Sequence, residues 1–319
     1  MNLSLIVPVC NEENNLPLLY LAIQDTLNSL EQDWEVIFVD DGSTDGSLQL
    51  LKNLAKKERR HVRVVVFRRN YGQTAAIAAG IEHATGDVII MMDADLQNDP
   101  ADIPLMLAKL NEGYDVVSGW RKDRQDPFFS RAVPSRMANA LISWITGVHL
   151  HDYGCTLKIY RREALTGFRL YGEMHRFIPV YAHAAGAKIA EVGVHHHPRK
   201  FGKSNYGIGR TFKVFLDLLT VKFLLGFSAN PIYIFGGVGI GLIIISTLTL
   251  LFLAVRRIIF ASSVLESPFF QISIMFFVLG FQSILMGLIA ELLMRTYYET
   301  LGKSTYTIRE VINTKLHPT

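Results

Sequence analysis

The sequence predicts an α/β domain with a Rossmann-like, mostly parallel sheet, followed by an interfacial helix and two membrane-spanning helices. Three observations carry that expectation. Five short, β-branched apolar runs alternate with longer helix-compatible stretches over the first 120 residues, the pattern of βαβ units whose sheet is covered on both faces. Polar residues gather just after those runs, where ligands bind in such sheets. Two later stretches, Pro231–Val255 and Ser267–Ala290, contain no Asp, Glu, Lys or Arg. At about 1.5 Å of rise per residue, each is long enough to cross a hydrocarbon core of roughly 30 Å.

In chain order the strand-like runs are LSLIVPV, EVIFVDD, VRVVVFRR, DVIIMMDAD and DVVSGW, with helices expected over Asn15–Leu30, Ser47–Glu58, Thr74–His83 and Ala101–Asn111. The run ends carry Asn11 and Glu12, then Asp40 and Asp41, Asn70, Asp93 and Asp95, and Arg121. Five ends converging make a site. Residues 122–206 are less periodic and hold an Arg-rich segment, RKDRQDPFFSRAVPSR, the loop HLHDYGCTLKIYRR, and the basic stretch HHHPRKFGKSNYG. Between Arg210 and Phe227, Arg210, Lys213, Asp217 and Thr220 form a narrow polar stripe on an otherwise apolar helix, which suits a membrane interface. The expected organisation is a catalytic domain over 1–206, a juxtamembrane helix over 207–228, two spans within 229–294 and a tail over 295–319.

Half the residues are hydrophobic and the formal net charge is only +3, so global charge does not suggest nucleic acid as a partner. Cys10 and Cys155 are too few for a disulfide framework and suit a reducing compartment. The N-terminus lacks the basic region of a signal peptide and reads better as a strand. Lys213, Lys222, Arg295, Lys303 and Arg309 flank the outer ends of the spans, while the connecting loop carries Arg256 and Arg257. That bias places both termini in the cytoplasm. The glycine-rich GGVGIG at 236–241 lies inside the first span, where Gly237 and Gly241 are expected to allow close helix packing, and with it self-association.

The chemistry-bearing groups point to an anionic substrate. Asp93 and Asp95, with Gln97 beyond, are oxygen-rich and lack Cys or His neighbours; hard oxygen ligands of this kind suit Mg²⁺ or Mn²⁺, which complete their shells with substrate phosphates. Acids placed like Asp40 and Asp41 commonly accept hydrogen bonds from ribose or base. No G-x-G-x-x-G follows the first strand, which argues against a dinucleotide. Arg121, Arg131 and Ser135 form a second group. Arginine binds phosphate bidentately, and Ser135 stands one helical turn beyond Arg131. Arg199, Lys203 and Ser204 either clamp a diphosphate once substrate is bound or attract anionic headgroups. His195 and His197 share a strand face, but no carboxylate or Cys is close in sequence, so a metal site is not expected there.

The segments VPVCNEENN, VDDGSTDGS, RNYGQTAA, DADLQNDP, GWR, SRAVPSR, DYGCTLKIYRR and RKFGKSNYG, in this order, resemble the family 2 glycosyltransferases of GT-A fold. More narrowly they resemble the polyprenyl-phosphate glycosyltransferases, among them dolichol-phosphate mannosyltransferase and bactoprenol glucosyltransferase; the two-span layout is most similar to the latter. The resemblance covers roughly residues 1–210. It implies that Pro8, Glu12 and Asp40 line a nucleotide pocket, and that Asp93, Asp95 and Gln97 hold the metal and donor diphosphate. Arg121, Arg131 and Ser135 would grip the acceptor phosphate, and Arg199 with Ser204 would close over the donor. Asp152 matches a position proposed as a catalytic base. A phosphate monoester is already largely ionised at neutral pH, its second pKa being about 6. Orienting a sugar hydroxyl or a basic neighbour, or capping its own loop, therefore stays open for Asp152. The implied reaction is inverting transfer of glucose from UDP-glucose to undecaprenyl phosphate. GDP-mannose and UDP-4-formamido-arabinose are alternative donors, and a non-catalytic membrane subunit is the alternative of a different class.

Overall fold

The computed structural model describes residues 2–122, 139–140, 142–144, 146–166, 170, 174–198, 232–260, 263–265, 267–299 and 306–313. The strands and helices alternate as the periodicity predicts: β1 Leu3–Val9, α1 Leu16–Asn28, β2 Trp34–Asp40, α2 Ser47–Lys57, β3 Val62–Phe67, α3 Gln73–His83, β4 Val88–Met91, α4 Ile103–Asn111 and β5 Val116–Trp120. Three elements follow that the five-run pattern does not announce: β6 Lys158–Arg161, α5 Ile178–Ala184 and β7 Ile189–Gly193. The strands stand in the order β7-β5-β6-β4-β1-β2-β3-β8, where β8 is Ile308–Ile312. Strands β4, β1, β2 and β3 run parallel. Antiparallel β6 joins β4 to β5, and β7 lies parallel to β5.

Burial explains the placement. Strands β1 to β4 are almost wholly buried, as a sheet covered on both faces requires. In α1 the buried residues are Leu16, Leu19, Tyr20, Ile23 and Leu27, one apolar stripe at helical spacing. Helix α3 lies so close to β1 that a Cβ on Gly80 would collide with Ile6. At the amino ends of the parallel strands sits a buried ion pair. The Glu35 carboxylate accepts from Ser4 Oγ at 2.7 Å and from Thr85 N and Oγ1 at 2.7 and 2.6 Å, and Arg63 Nη2 lies 3.1 Å from its other oxygen.

Residues 306–313 belong to the sheet unit, whereas the sequence reading sets 295–319 apart as a tail; Ile308–Ile312 pairs antiparallel with β3 and closes that edge. The second unit contains α6 Ile232–Phe260 and α7 Pro268–Glu299. Within them Phe235–Ile259 and Pro268–Ala290 are long and apolar enough to cross a membrane. The helices touch at Gly239 and Gly280: a Cβ on Gly239 would stand 2.5 Å from the Gly280 carbonyl oxygen. Ser246 Oγ donates to the Ser273 carbonyl at 2.7 Å and Ser283 Oγ to the Phe235 carbonyl at 2.8 Å. Gly237 and Gly241 face open space and take no part in the packing of these two helices on each other. Two residues turn a helix by about 200°, so they lie on the side away from Gly239. The juxtamembrane stretch 207–228 lies outside the described residues.

Candidate active site

The carboxyl ends of β1, β2 and β3 form one side of the site. After β1 the chain turns through Asn11, whose φ is +59°. Asn11 Oδ1 accepts from Thr44 N at 2.7 Å, and Ser47 Oγ accepts from Glu12 N at 2.9 Å. Asn11 and Glu12 thus bind the first loop to the second. The consecutive acids after β2 then part company. Asp41 accepts from the backbone amides of Tyr71 at 2.6 Å and Gly72 at 2.9 Å. Gly42, at φ +69°, lets the second loop press on the third, where a Cβ would stand 2.6 Å from Asn70 N. Asp40 is 1% exposed, and its Oδ1 has no hydrogen-bond partner among the described residues. Burial raises the carboxyls of both Asp40 and Asp41 above their usual range. Asn70 Nδ2 donates to Cys10 Sγ at 3.3 Å.

The other side of the site begins beyond β4. Gln73 Nε2, from the first turn of α3, donates to Asp93 Oδ1 at 2.6 Å. The chain reverses at Leu96, φ +61°, and Gln97 N donates to Asp95 Oδ1 at 3.1 Å. Asp95 is 5% exposed. Burial, and then repulsion from Asp95, pushes the Asp93 carboxyl up to about 7, although Thr156, Arg121 and Lys158 act in the opposite direction. Two hard oxygen donors that repel each other in a half-dry setting fit a divalent cation such as Mg²⁺ or Mn²⁺.

Facing them is Arg121, at the end of β5. Its Nε and Nη2 bind both Asp152 oxygens, at 2.7 and 3.0 Å, in a bidentate fork with little solvent contact. Asp152 also accepts from Gly154 N at 3.1 Å. Glu191 takes the amides of His151 and Asp152, and the His151 ring stacks on Trp120 at 4.3 Å. Of the readings open for Asp152, the geometry shows two at once: it holds the basic neighbour Arg121 and caps its own loop at Gly154. Lys158 is buried and donates to the carbonyls of Tyr153 and Cys155; burial holds its ammonium below the usual range. Pro8, Gln73, Asp93, Thr156, Lys158 and Arg176 line one common pocket.

The structure therefore brings Pro8 and Asp93 into one pocket and sets Asp41 against the loop that carries Asn70. Arg131, Ser135, Arg199, Lys203 and Ser204 lie outside the described residues. Sequence reasoning missed Gln73, Thr156, Lys158 and Arg176. Gln73 and Thr156 stand in the quoted segments RNYGQTAA and DYGCTLKIYRR, but nothing local marks a side chain in them as facing Asp93. The histidine run also finds partners distant in sequence: His195 Nδ1 lies 2.7 Å from Asp102 and His197 Nε2 3.0 Å from Asp99. No group of three His, Cys, Asp or Glu among the described residues could hold a metal ion there.

Comparison with known proteins bears on this geometry. The family model described as glycosyl transferase family 2 matches residues 4–168. Over 316 residues the chain is 42% identical to a dodecaprenyl-phosphate galacturonate synthase of Rhizobium johnstonii, covering 98% of this chain and 94% of that protein. It is 37% identical over 313 residues to an undecaprenyl-phosphate 4-deoxy-4-formamido-L-arabinose transferase of Proteus mirabilis, covering 98% and 94%. Among solved structures, it is similar to glucosyl-3-phosphoglycerate synthase from Mycobacterium tuberculosis in complex with Mn²⁺ and UDP-glucose. The TM-score is 0.51 at 20% identity, over 69% of this chain and 78% of that one, a likeness that shows the shared GT-A fold.

Proposed function

The chain belongs to glycosyl transferase family 2, and we propose that it moves a sugar from a nucleoside-diphosphate donor to the phosphate of a polyprenyl lipid. The observation that carries this reading is the pocket that sets Asp93 beside Lys158 and Arg176, with the rigid Arg121–Asp152 fork near enough for Arg121 to oppose the rise of the Asp93 carboxyl. A pocket lined by the Asp93 carboxylate together with Lys158 and Arg176 can take phosphorylated partners. The orphaned oxygen of buried Asp40 supports a donor nucleotide, since a buried acceptor calls for a donor from a ligand.

In this reading Asp40 and Pro8 bound the nucleotide end. A divalent cation at Asp93 and Asp95, with Gln97 alongside, would neutralise charge gathering on the departing diphosphate. Arg121, held rigid by Asp152, binds the acceptor phosphate and aims one of its oxygens at the anomeric carbon. The bond from that carbon to the acceptor oxygen forms as the bond to the diphosphate oxygen breaks, inverting the configuration. No proton need be abstracted, because the acceptor is already ionised, so positioning supplies most of the rate. Arg131, Ser135, Arg199, Lys203 and Ser204 would complete both grips. The two apolar helices support a membrane setting, with both termini in the cytoplasm by charge bias.

The named relatives favour galacturonate or 4-deoxy-4-formamido-arabinose as the sugar over the glucose expected from the two-span layout. The test gives the purified protein undecaprenyl phosphate, Mg²⁺ or Mn²⁺, and UDP-galacturonate, UDP-formamido-arabinose, UDP-glucose or GDP-mannose in separate reactions. Lipid-linked sugar is read by mass spectrometry with Asp95→Ala as the blank. Product from one donor identifies the sugar. Absence of product from every donor overturns the reading and returns the non-catalytic alternative.

A further inference from the structure

We propose that Tyr306 and Thr307, beyond the second apolar helix, are positioning residues for the donor site: they hold the loop 68–72 whose backbone amides grip Asp41. The inference rests on the reading of that sheet end as the nucleotide side. The connection is continuous in the structure. Strand β8 pairs with β3 from Val64↔Ile312 to Phe67↔Ile308, with a register irregularity between Val66 and Phe67. Arg68 N then donates to the Thr307 carbonyl at 3.2 Å, so the pairing extends into the loop itself. Tyr306, only 9% exposed, stacks on Phe67 with ring centroids 5.0 Å apart, and its hydroxyl bonds to Glu82 of α3. Phe67 in turn meets Tyr71 edge to face at 5.6 Å. Thr307, with Arg69, holds the Tyr71 phenol below its usual pKa range, and Arg69 lies over the Tyr71 ring at 4.4 Å.

Loop 68–72 links the two carboxylate sites. Its amides at Tyr71 and Gly72 hold Asp41, and the next residue, Gln73, holds Asp93. Gly72 stands at φ +93° with open space where a Cβ would be, so no side-chain packing holds the loop at that residue, and glycine is the most permissive backbone. Beside the Asp41 grip, the Asn70–Cys10 bond and the close approach of Gly42, restraint comes from the Tyr306–Phe67–Tyr71 ring cluster and the Thr307 contacts. An edge strand serving stability alone would need only its ladder and the far anchor, where Asn313 Nδ2 donates to the carbonyls of Ala55 at 2.6 Å and Val62 at 2.9 Å. Beyond the ladder, the Thr307 carbonyl accepts from Arg68 of the loop, and Tyr306 stacks on Phe67 directly before it while its hydroxyl bonds to Glu82 of α3.

The test uses the full-length protein in lipid nanodiscs with the donor that supports turnover. Tyr306→Ala is expected to raise the donor KM about tenfold, the scale of one lost hydrogen bond and its packing. The acceptor KM and kcat stay within about twofold. Tyr306→Phe, which keeps the stack, restores most of the donor KM, and Thr307→Val gives a smaller rise. Asn313→Ala lowers the melting temperature without moving the donor KM. Hydrogen exchange on peptides spanning 68–76 is expected to speed up in Tyr306→Ala and Thr307→Val but not in Asn313→Ala; this reading needs no turnover. Unchanged exchange and unchanged donor KM in both site-facing variants overturn the proposal. So does a uniform loss of folded protein with both KM values and kcat moving together. Wild-type protein that turns over no nucleotide sugar defeats the functional reading instead, and the exchange experiment still decides the loop.

Discussion

The two ends of the parallel sheet treat buried charge in opposite ways. At the amino ends, Glu35 is surrounded by Ser4, Thr85 and Arg63, with a partner for both of its oxygens. Burial alone would raise its carboxyl; the hydrogen bonds from Thr85 and Ser4 and the Arg63 charge outweigh that cost and hold it below the usual range. At the carboxyl ends, Asp40 keeps an oxygen without a partner and Asp93 is driven upward by burial and by Asp95. At one end the protein itself supplies a partner for each Glu35 oxygen, although Arg63 Nε has none among the described residues. At the other, Asp40 stays above its usual range despite Ser43, and Asp93 does so despite Thr156, Arg121 and Lys158, a balance that a substrate and a cation would shift. Burial alone therefore does not distinguish a structural carboxylate from a functional one; the completeness of its partners does.

That contrast can be broken from either end. The largest expected effect is at Glu35. Replacement by Ala strands Arg63 in the core and costs about 3–5 kcal/mol of stability, read by chemical unfolding. Molecules that still fold should retain activity. At the opposite end Asp95→Ala should lower kcat/KM by roughly 10²–10³-fold, the scale of losing one preorganised electrostatic group. Its unfolding midpoint should stay unchanged or rise slightly, because the repulsion on Asp93 is gone. A loss of stability there would contradict the division of labour. Arg121→Lys keeps the charge but not the bidentate fork to Asp152, and should raise the acceptor KM about tenfold while leaving the donor KM unmoved. The smallest effect concerns pH. Because the folded Glu35 carboxyl is lowered from its ordinary value of 4.5, the native state binds fewer protons there than the unfolded chain. Its contribution is present in full above that value and is lost as pH falls through the folded pKa. Acid unfolding of the wild type should therefore steepen below about pH 4.5, and Glu35→Gln should flatten that limb.

Legibility in the sequence followed the range of the interaction. Strand β1 begins and ends where its β-branched run does, and α3 starts one residue before the expected Thr74. The carboxylates at 93 and 95 were recognisable because an apolar strand ran straight into them. The two apolar helices declared themselves by the absence of charge over more than twenty residues. All of these are properties of a residue and its near neighbours, fixed by helical or strand period and by the cost of burying charge. Tertiary structure alone decided the rest. Asp41 is assigned to a loop 30 residues away, while its neighbour Asp40 keeps a buried oxygen without a partner among the described residues. Asp152 is tied to Arg121, 31 residues before it. Gly239 meets Gly280, while Gly237 and Gly241, which read equally well, face outward. Tyr306, 224 residues from Glu82, closes on α3. Local pattern determines which element a residue joins and which way that element can be buried. The partner of a polar side chain is chosen only when elements distant in sequence pack together, and here that choice separates Glu35, with both oxygens paired, from Asp40, which keeps one oxygen without a partner among the described residues.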